Sequence, residues 1–445
     1  MEFAYSVDMI PNAFSPYALN GDDLLYFYDD DTMAARTGKV SDSPILDIYD
    51  RCTDPSSFNK ILLLGHRGCG KSTELNHLSV SLRKSGYAVK NISCWNNLNF
   101  SQMEYTDILI LLGDALLSLV SEYNCYVPDE LCKAVYNFWR RDGEEIISDE
   151  SEYEIDTEGG VSAETPSILN ILKVFVNVKA NIKQNSKKRQ EYKLKIERRP
   201  NEWTNLIDQL ADSIAIAMDE NRPIIIFEDL DKLDTVSVDK AWEVFSTHGG
   251  QLNAYSFPII YTFPISLSYS PKYTSVDNYF QPFILPMIKV RTIDGTPYSR
   301  GLDNIRKIIE LRTKADLFDD GVMDLVIKKT GGSLRDLFSV IARASTFARR
   351  SKRSTISMED IQSAMDKLKS ELSKRIKGKE HDFLVSVYNG EGNHRMIDED
   401  GFLLKMITAN AVLEYNGQRW YDVHPLVADY LIDDLNMTTR RENDR

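Results

Sequence analysis

The chain has 445 residues, 42% of them hydrophobic and 27% charged, with a formal net charge of −14 at neutral pH. That length exceeds one ordinary hydrophobic core and predicts two or three domains, while the acidic balance argues against a surface coated in nucleic acid and leaves room only for a local basic face. No apolar run is long enough to span a bilayer, the start Met1–Asp8 lacks the features of a signal peptide, and the five cysteines and six histidines show no metal-ligand spacing, so a reduced cytoplasmic compartment is expected.

Residues 1–59 are rich in Asp, Tyr, Pro and Asn, with turn signals at Pro11-Asn12 and Asn20-Gly21, and are expected to wrap the edge of the next domain. Asp29-Asp30-Asp31 reads as a solvated loop or helix start, with a metal cluster as the alternative. Ile61 to Leu64 then form an apolar run of the kind that makes a strand buried on both faces. It runs directly into Gly65-His66-Arg67-Gly68-Cys69-Gly70-Lys71-Ser72 and the helical pattern that begins at Thr73. This order has a physical logic. Glycines let successive backbone N–H groups converge on an anion, the helix N-terminus adds partial positive charge, Lys71 can reach β- and γ-phosphates, and the Ser72 hydroxyl suits Mg²⁺. A glycine-rich turn with a chance Lys-Ser would lack the strand before and the helix after. The motif predicts a nucleoside triphosphate site, with the N-terminal segment contributing to its base pocket.

The first helix should end near Lys84-Ser85-Gly86, and Tyr87 to Cys94 should form the next strand. Residues 105–123 carry apolar positions at helical spacing, and another helix follows Pro128-Asp129. From Asp142 to Glu164 the chain is acidic and aperiodic, as in a flexible insertion. Residues 167–219 predict long helices, with nine basic residues between Lys179 and Arg199. These suit either phosphate-backbone contact or charge balance within the protein, and the lack of an aromatic ladder favours the second. The run Pro223 to Asp234 is an apolar strand ending in Glu228 and Asp229. Such acids suit nucleotide hydrolysis, one holding Mg²⁺ and the other polarising the attacking water.

Phe257 to Pro264 predicts a further buried strand in which Thr262 is either a γ-phosphate contact or an ordinary strand residue. Pro282 to Val290 predicts one more strand, and only helices follow from Ser299. Paired glycines at Gly331-Gly332 break one helix and Ser333 caps the next, which puts Arg335 in a first turn, free to swing to a phosphate or to pair with Asp336 or Glu359. A capping box at Ser357 to Asp360 opens a helix reaching about Gly378. Residues 381–445 read as a small winged-helix module with a hairpin about Asn416-Gly417. Its mixture of Lys405, Arg419, Arg440, Arg441 and Arg445 with Glu414, Asp422, Asp429, Asp433 and Asp434 favours a wing that faces protein.

With these elements in series the chain resembles AAA+/STAND-type P-loop ATPases, nearest the initiator-like branch with a helical lid and a winged helix. The resemblance implies an α/β P-loop sheet flanked by helices, then an all-helical lid and the small winged module. The corresponding division is 1–59 as wrapping segment, 60–295 as ATPase core with a helical insertion at 142–200, 296–378 as lid, and 379–445 as winged helix. Gly65 to Thr73 match its phosphate loop, Glu228 and Asp229 its acid-ended strand, Thr262 its first sensor position and Arg335 the lid arginine. The implied ligands are ATP and Mg²⁺, the metal held by Ser72, Glu228 and Asp229. The acid order departs from the family's usual Asp-Glu or Asp-Asp. Between Thr262 and Pro282 there is no arginine, only Lys272, so an arginine finger would come from elsewhere, with Arg300, Arg306 and Arg312 as candidates. The implied function is an ATP-driven switch coupled to self-association or a protein effector, in a DNA-linked process or in prokaryotic defence against phage. The alternatives are a nucleotide-gated scaffold with little turnover and a DNA-binding initiator-like ATPase.

Overall fold

The computed structural model describes residues 1–27, 31–54, 60–140, 168–390, 401–415 and 420–435. The expected acidic insertion at 142–164, Asp29 and Asp30, the Asn416-Gly417 turn and the three C-terminal arginines lie outside these. Strand β1 (Lys60–Gly65) is buried along its whole length and splits its side chains between two cores. Ile61 and Leu63 join one face with Ile224, Ile226 and Ile260, whereas Leu62 and Leu64 join the other with Ile225, Phe227, Tyr261 and Phe263. That alternation is the period of two expected of a strand covered on both sides. With β2 (Val89–Ser93), β3 (Ile224–Glu228), β4 (Ile259–Pro264) and β5 (Gln281–Ile284) it makes a parallel sheet in the order β2-β3-β4-β1-β5. β4 thus separates the strand before the glycine-rich loop from the strand that ends in acids, with Leu63 facing Thr262 in register.

In the N-terminal wrap, α1 (Ile10–Ala13) packs into the larger core and α2 (Thr32–Thr37) contributes to both, whereas α3 (Pro44–Thr53) and α4 (Lys71–Lys84) cover the smaller core. The larger core is covered by α5 (Cys94–Asn97), α6 (Tyr105–Glu122), α7 (Asp129–Arg140), α8 (Ile168–Gln184), α9 (Ser186–Arg198) and α10 (Pro200–Ala217). Trp139 and Trp203 meet edge to face at 5.4 Å, with Phe175 and Tyr192 each 5.6 Å from Trp139. Gly113 makes this close packing possible, since a Cβ there would lie 2.7 Å from Phe175.

The basic stretch is folded into that packing. Arg189 is buried against Asp107, Lys179 pairs with Asp114 at 2.9 Å, and Lys193 pairs with Glu104. Lys183 donates to the Asn96 carbonyl at 2.6 Å and Arg199 to the Phe138 carbonyl at 2.9 Å. These cations complement carboxylates and carbonyls of the chain itself, located at α6 and its flanks.

The helical region comprises α11 (Ser299–Glu310), α12 (Val322–Lys329), α13 (Leu334–Arg350) and α14 (Met358–Ser373). It is followed by α15 (Lys379–Tyr388), α16 (Phe402–Thr408), the antiparallel pair β6 (Val412–Tyr415) and β7 (Trp420–Val423), and α17 (Pro425–Leu435). The strand expected over Pro282 to Val290 stops at Ile284. Beyond Pro286 the chain leaves the sheet, and Met287 instead donates its N–H to the Glu414 carbonyl in β6. Consequently Leu413, Tyr415 and Trp420 of the hairpin sit in the smaller core beside Ile61 and Leu63. The described hairpin strands thus pack on this chain's own core. Among the described residues no helix is long and apolar enough to cross a membrane, and the five cysteines are unpaired thiols.

Candidate nucleotide-binding site

The loop after β1 holds its shape through left-handed glycines. Gly68 has φ +88° and Gly70 φ +107°, conformations that L side chains adopt only with strain. Gly70 stands immediately before α4, so the free N–H groups of that helix open onto a cavity of about 1020 Å³. Arg67, Gly68, Gly70, Lys71, Ser72 and Thr73 line it. The side chains of His66 and Cys69, expected among the ligand contacts, turn away. Cys69 is buried in the smaller core, and the His66 Nε2 accepts the Glu414 N–H at 2.7 Å. Burial, with the Lys71 ammonium nearby, holds His66 down at about 3, so it stays a neutral acceptor.

Lys71 donates to the carbonyls of Gly65 at 2.6 Å and His66 at 2.9 Å, and its ammonium lies 2.9 Å from Asp231 Oδ2. Burial alone would raise the carboxyl of the enclosed Asp231, but the Lys71 ammonium, with Arg67 and Lys232 nearby, holds it below its ordinary value. Asp231 lies within the run Pro223 to Asp234, whose pattern gives it no role of its own. It lies three residues past the end of β3, where the chain turns back towards the loop.

The acids at the end of β3 diverge. Glu228 is hydrogen-bonded to Ser72 and accepts from Asn91 Nδ2 at 3.3 Å; burial pushes its carboxyl up to about 7. Asp229 has φ +73° and faces the other way, accepting from Ser93 Oγ at 2.5 Å and pairing with Lys232 at 2.6 Å. Of the three residues expected at Mg²⁺, Ser72 and Glu228 stand together and Asp229 stands apart. A hydroxyl and one carboxylate suit this ion, which keeps waters and takes phosphate oxygens instead of filling an all-protein cage. No cluster of three or more His, Cys, Asp or Glu around a metal-sized space occurs among the described residues.

Thr262 falls on the strand-residue side of its two expected readings in this arrangement. It lies on β4 between the two key strands, but its Oγ1 accepts the Leu230 N–H at 3.0 Å and donates to the Phe227 carbonyl at 3.3 Å. Through these two bonds it braces the turn carrying Asp229 and Asp231, and it is not among the residues that line the cavity.

Arg335 arrives from the lid. The Arg335 N–H donates to the Gly68 carbonyl at 3.3 Å, and a Cβ on Gly68 would come within 2.5 Å of the Arg335 Cβ. The side chain lines the cavity and forms no ion pair among the described residues, while Asp336 is turned to His424 at 3.5 Å. Ser333 caps α13 as expected, accepting the Asp336 N–H at 3.4 Å.

The remaining wall comes from the N-terminal wrap, with Ser15 to Asn20, Tyr26 and Phe27 opposite Ile308, Leu334 and Phe338 of the lid. Leu19 donates its N–H to Thr73 Oγ1 at 3.2 Å, which fastens the wrap to α4. Arg36, which no motif singles out, is buried and donates to the Cys69 carbonyl at 2.7 Å and the Pro286 carbonyl at 2.6 Å, bracing the loop from behind. Of the finger candidates, Arg300 pairs with Asp31 at 2.6 Å on the surface and Arg306 pairs with Asp324; only Arg312 lines the cavity, its guanidinium 4.9 Å above the Phe338 ring.

No protein-family model and no curated protein matches the chain. Solved structures do match. The Aeropyrum pernix ORC2 protein, in ADPNP–ADP complexes, is 12% identical with a TM-score of 0.37, over 92% of this chain and 95% of that one. The ORC1 protein of the same organism, in complex with DNA, is 11% identical with a TM-score of 0.38, over 93% and 96%. Cdc6p from Pyrobaculum aerophilum is 13% identical with a TM-score of 0.36, over 96% and 100%. Identities and scores this low transfer neither a ligand nor a residue role.

Proposed function

We propose that the chain is an ATP-binding and ATP-hydrolysing switch in which nucleotide fixes the lid against the phosphate loop. The observation that carries the reading is the direct seat of the α13 N-terminus on Gly68, with Lys71, Ser72, Glu228 and Arg335 facing one cavity. A triphosphate lying along the N-terminus of α4 would draw Lys71 away from Asp231 and bridge it to Arg335 across the lid joint. A ligand that contacts both sides of a joint binds the closed arrangement better than the open one, which is the requirement for a switch. Ser72 and Glu228 would hold Mg²⁺, which neutralises charge on the β- and γ-phosphates. Asp229 is the acid placed to orient a water, once free of Lys232.

The output of the switch is self-association or capture of a protein effector through the lid and the C-terminal module. A DNA-binding output is less well supported, because the hairpin strands are packed against the core and Arg291, Lys329 and Lys369 pair with Asp422, Asp429 and Asp433. The second reading, a nucleotide-gated scaffold with little turnover, is favoured by the engagement of Asp229 described above. Calorimetric titration with Mg·ATP tests the nucleotide site. Loss of one charge-assisted phosphate contact in Lys71→Ala should weaken binding by about two orders of magnitude, and unchanged affinity would refute the assignment.

A further inference from the structure

Asp229 is held on both carboxylate oxygens. Ser93, the last residue of β2, donates to Oδ2 at 2.5 Å, and the Lys232 ammonium, three residues downstream, lies 2.6 Å from Oδ1. The backbone there is left-handed, and Thr262 anchors the following Leu230 N–H, so the turn is braced and the carboxylate moves by rotation of its own side chain. Lys232 is itself seated: its ammonium lies 5.2 Å from the centroid of the half-exposed Trp95 ring, and both side chains line the outer end of the nucleotide cavity.

Hydrolysis asks something else of this carboxylate. The water oxygen forms a bond to the γ-phosphorus, the bond from that phosphorus to the β–γ bridging oxygen breaks, and ADP leaves with the electron pair. The water proton passes to the acid that orients it. An acid whose two oxygens already accept from an ammonium and a hydroxyl takes that water only in competition with both, and the ammonium holds the carboxylate in its present place.

We propose that Lys232 is a brake on turnover: its ion pair with Asp229, seated over Trp95, keeps ATP bound but slowly hydrolysed until the lysine is withdrawn. The inference rests on the ATPase reading above. It also explains how a complete nucleotide site can coexist with a restrained acid. Lys232 is a positioning residue, acting through Asp229.

The test is steady-state phosphate release at saturating Mg·ATP, with ATP affinity measured in parallel. Lys232→Met should raise the rate about fivefold, the scale of a partly exposed ion pair, while changing affinity less than twofold. Lys232→Arg, which keeps the pair, should stay at the wild-type rate. Lys232→Met combined with Asp229→Asn should fall to the level of Asp229→Asn alone, because the gain runs through that carboxylate. A lower or unchanged rate in Lys232→Met overturns the brake, a lower rate identifying the lysine as a phosphate contact instead. If no variant releases phosphate while ATP binding still depends on Lys71, the brake fails and nucleotide binding stands. If ATP binding is indifferent to Lys71→Ala, the underlying site assignment fails.

Discussion

Gly68→Ala should uncouple the lid from the loop. At φ +88° an alanine costs about 1–2 kcal/mol of strain, but that cost falls on lid-open and lid-closed forms alike and appears as lower overall stability. The closed form alone meets a second cost. The new Cβ would sit 2.5 Å from the Arg335 Cβ, about 1 Å inside ordinary carbon–carbon contact, so the start of α13 must retreat. Retreat gives up the Arg335 N–H bond to the Gly68 carbonyl and loosens Leu334, which would lie 3.7 Å from a Cβ on Gly70. One hydrogen bond and part of one apolar contact come to about 2 kcal/mol, or roughly 30-fold in the closed-to-open ratio. If ATP binds the closed form, calorimetric affinity should fall by a similar factor, and protease cleavage between core and lid should no longer be suppressed by ATP. Gly295→Ala is the control. It has φ +83° with open space around it, so it should lose stability without losing affinity. Wild-type affinity and wild-type protection in Gly68→Ala would refute the claim that the lid closes on this glycine.

The seat of the C-terminal module on the loop should be acid-sensitive through His66. Its folded value is held near 3, below the ordinary imidazole value, so above about pH 6.5 neither state takes up a proton. As pH falls from there towards 3 the unfolded chain binds a proton that the folded one refuses, and up to several kcal/mol of stability is lost. Melting between pH 7.5 and 4.5 should therefore be steeper for wild type than for His66→Gln; parallel curves would show that His66 is not the titrating group. A second expectation concerns the basic helices. Arg189→Ala leaves Asp107 charged and buried, which should cost about 3–5 kcal/mol in denaturant melts, while Arg189→Met with Asp107→Leu should recover most of it. If both variants retain wild-type stability but lose affinity for duplex DNA, the stretch is a phosphate-contact surface after all.

The elements that were legible in the sequence are those whose signal is local. Gly65 to Thr73 states its own geometry, because glycine spacing, the lysine and the helix start are contiguous. The hairpin strands and the Ser333 and Ser357 caps are equally local. What escaped depends on where the chain returns to itself. Asp231 acquires its partner only because the turn after β3 folds back onto Lys71, and Arg36 matters only because a wrap 33 residues upstream passes behind Cys69. The choice between the two readings of Thr262 was hidden for a related reason. Its position between β1 and β3 is the expected one, but the turn after β3 offers a backbone N–H that captures the hydroxyl first. The strand expected to reach Val290 failed by competition, since Met287 finds a partner in Glu414, more than 120 residues away, which periodicity cannot foresee.

The C-terminal module has contacts on both sides of the joint that a switch would move. Towards the core, Glu414 donates to His66, Asn410 donates to the Arg67 carbonyl at 3.1 Å, and Thr408 donates to Asp234 at 3.2 Å, the carboxylate that also holds Arg67. Towards the lid, Tyr415 donates to the Gly331 carbonyl at 2.8 Å and Asp429 pairs with Lys329 at 2.6 Å. Gly331 has no room for a side chain there, since a Cβ would lie 2.7 Å from Pro425. The lid therefore cannot rotate away from the phosphate loop while both sets persist. Either the module stays with the lid and strips its three bonds from the loop, or it stays with the core and releases Gly331 four residues before Arg335. In both cases the back of the nucleotide loop and the lid arginine are wired to the same module. An effector that grips this module would bias the nucleotide site, and by reciprocity the nucleotide would bias the effector's affinity.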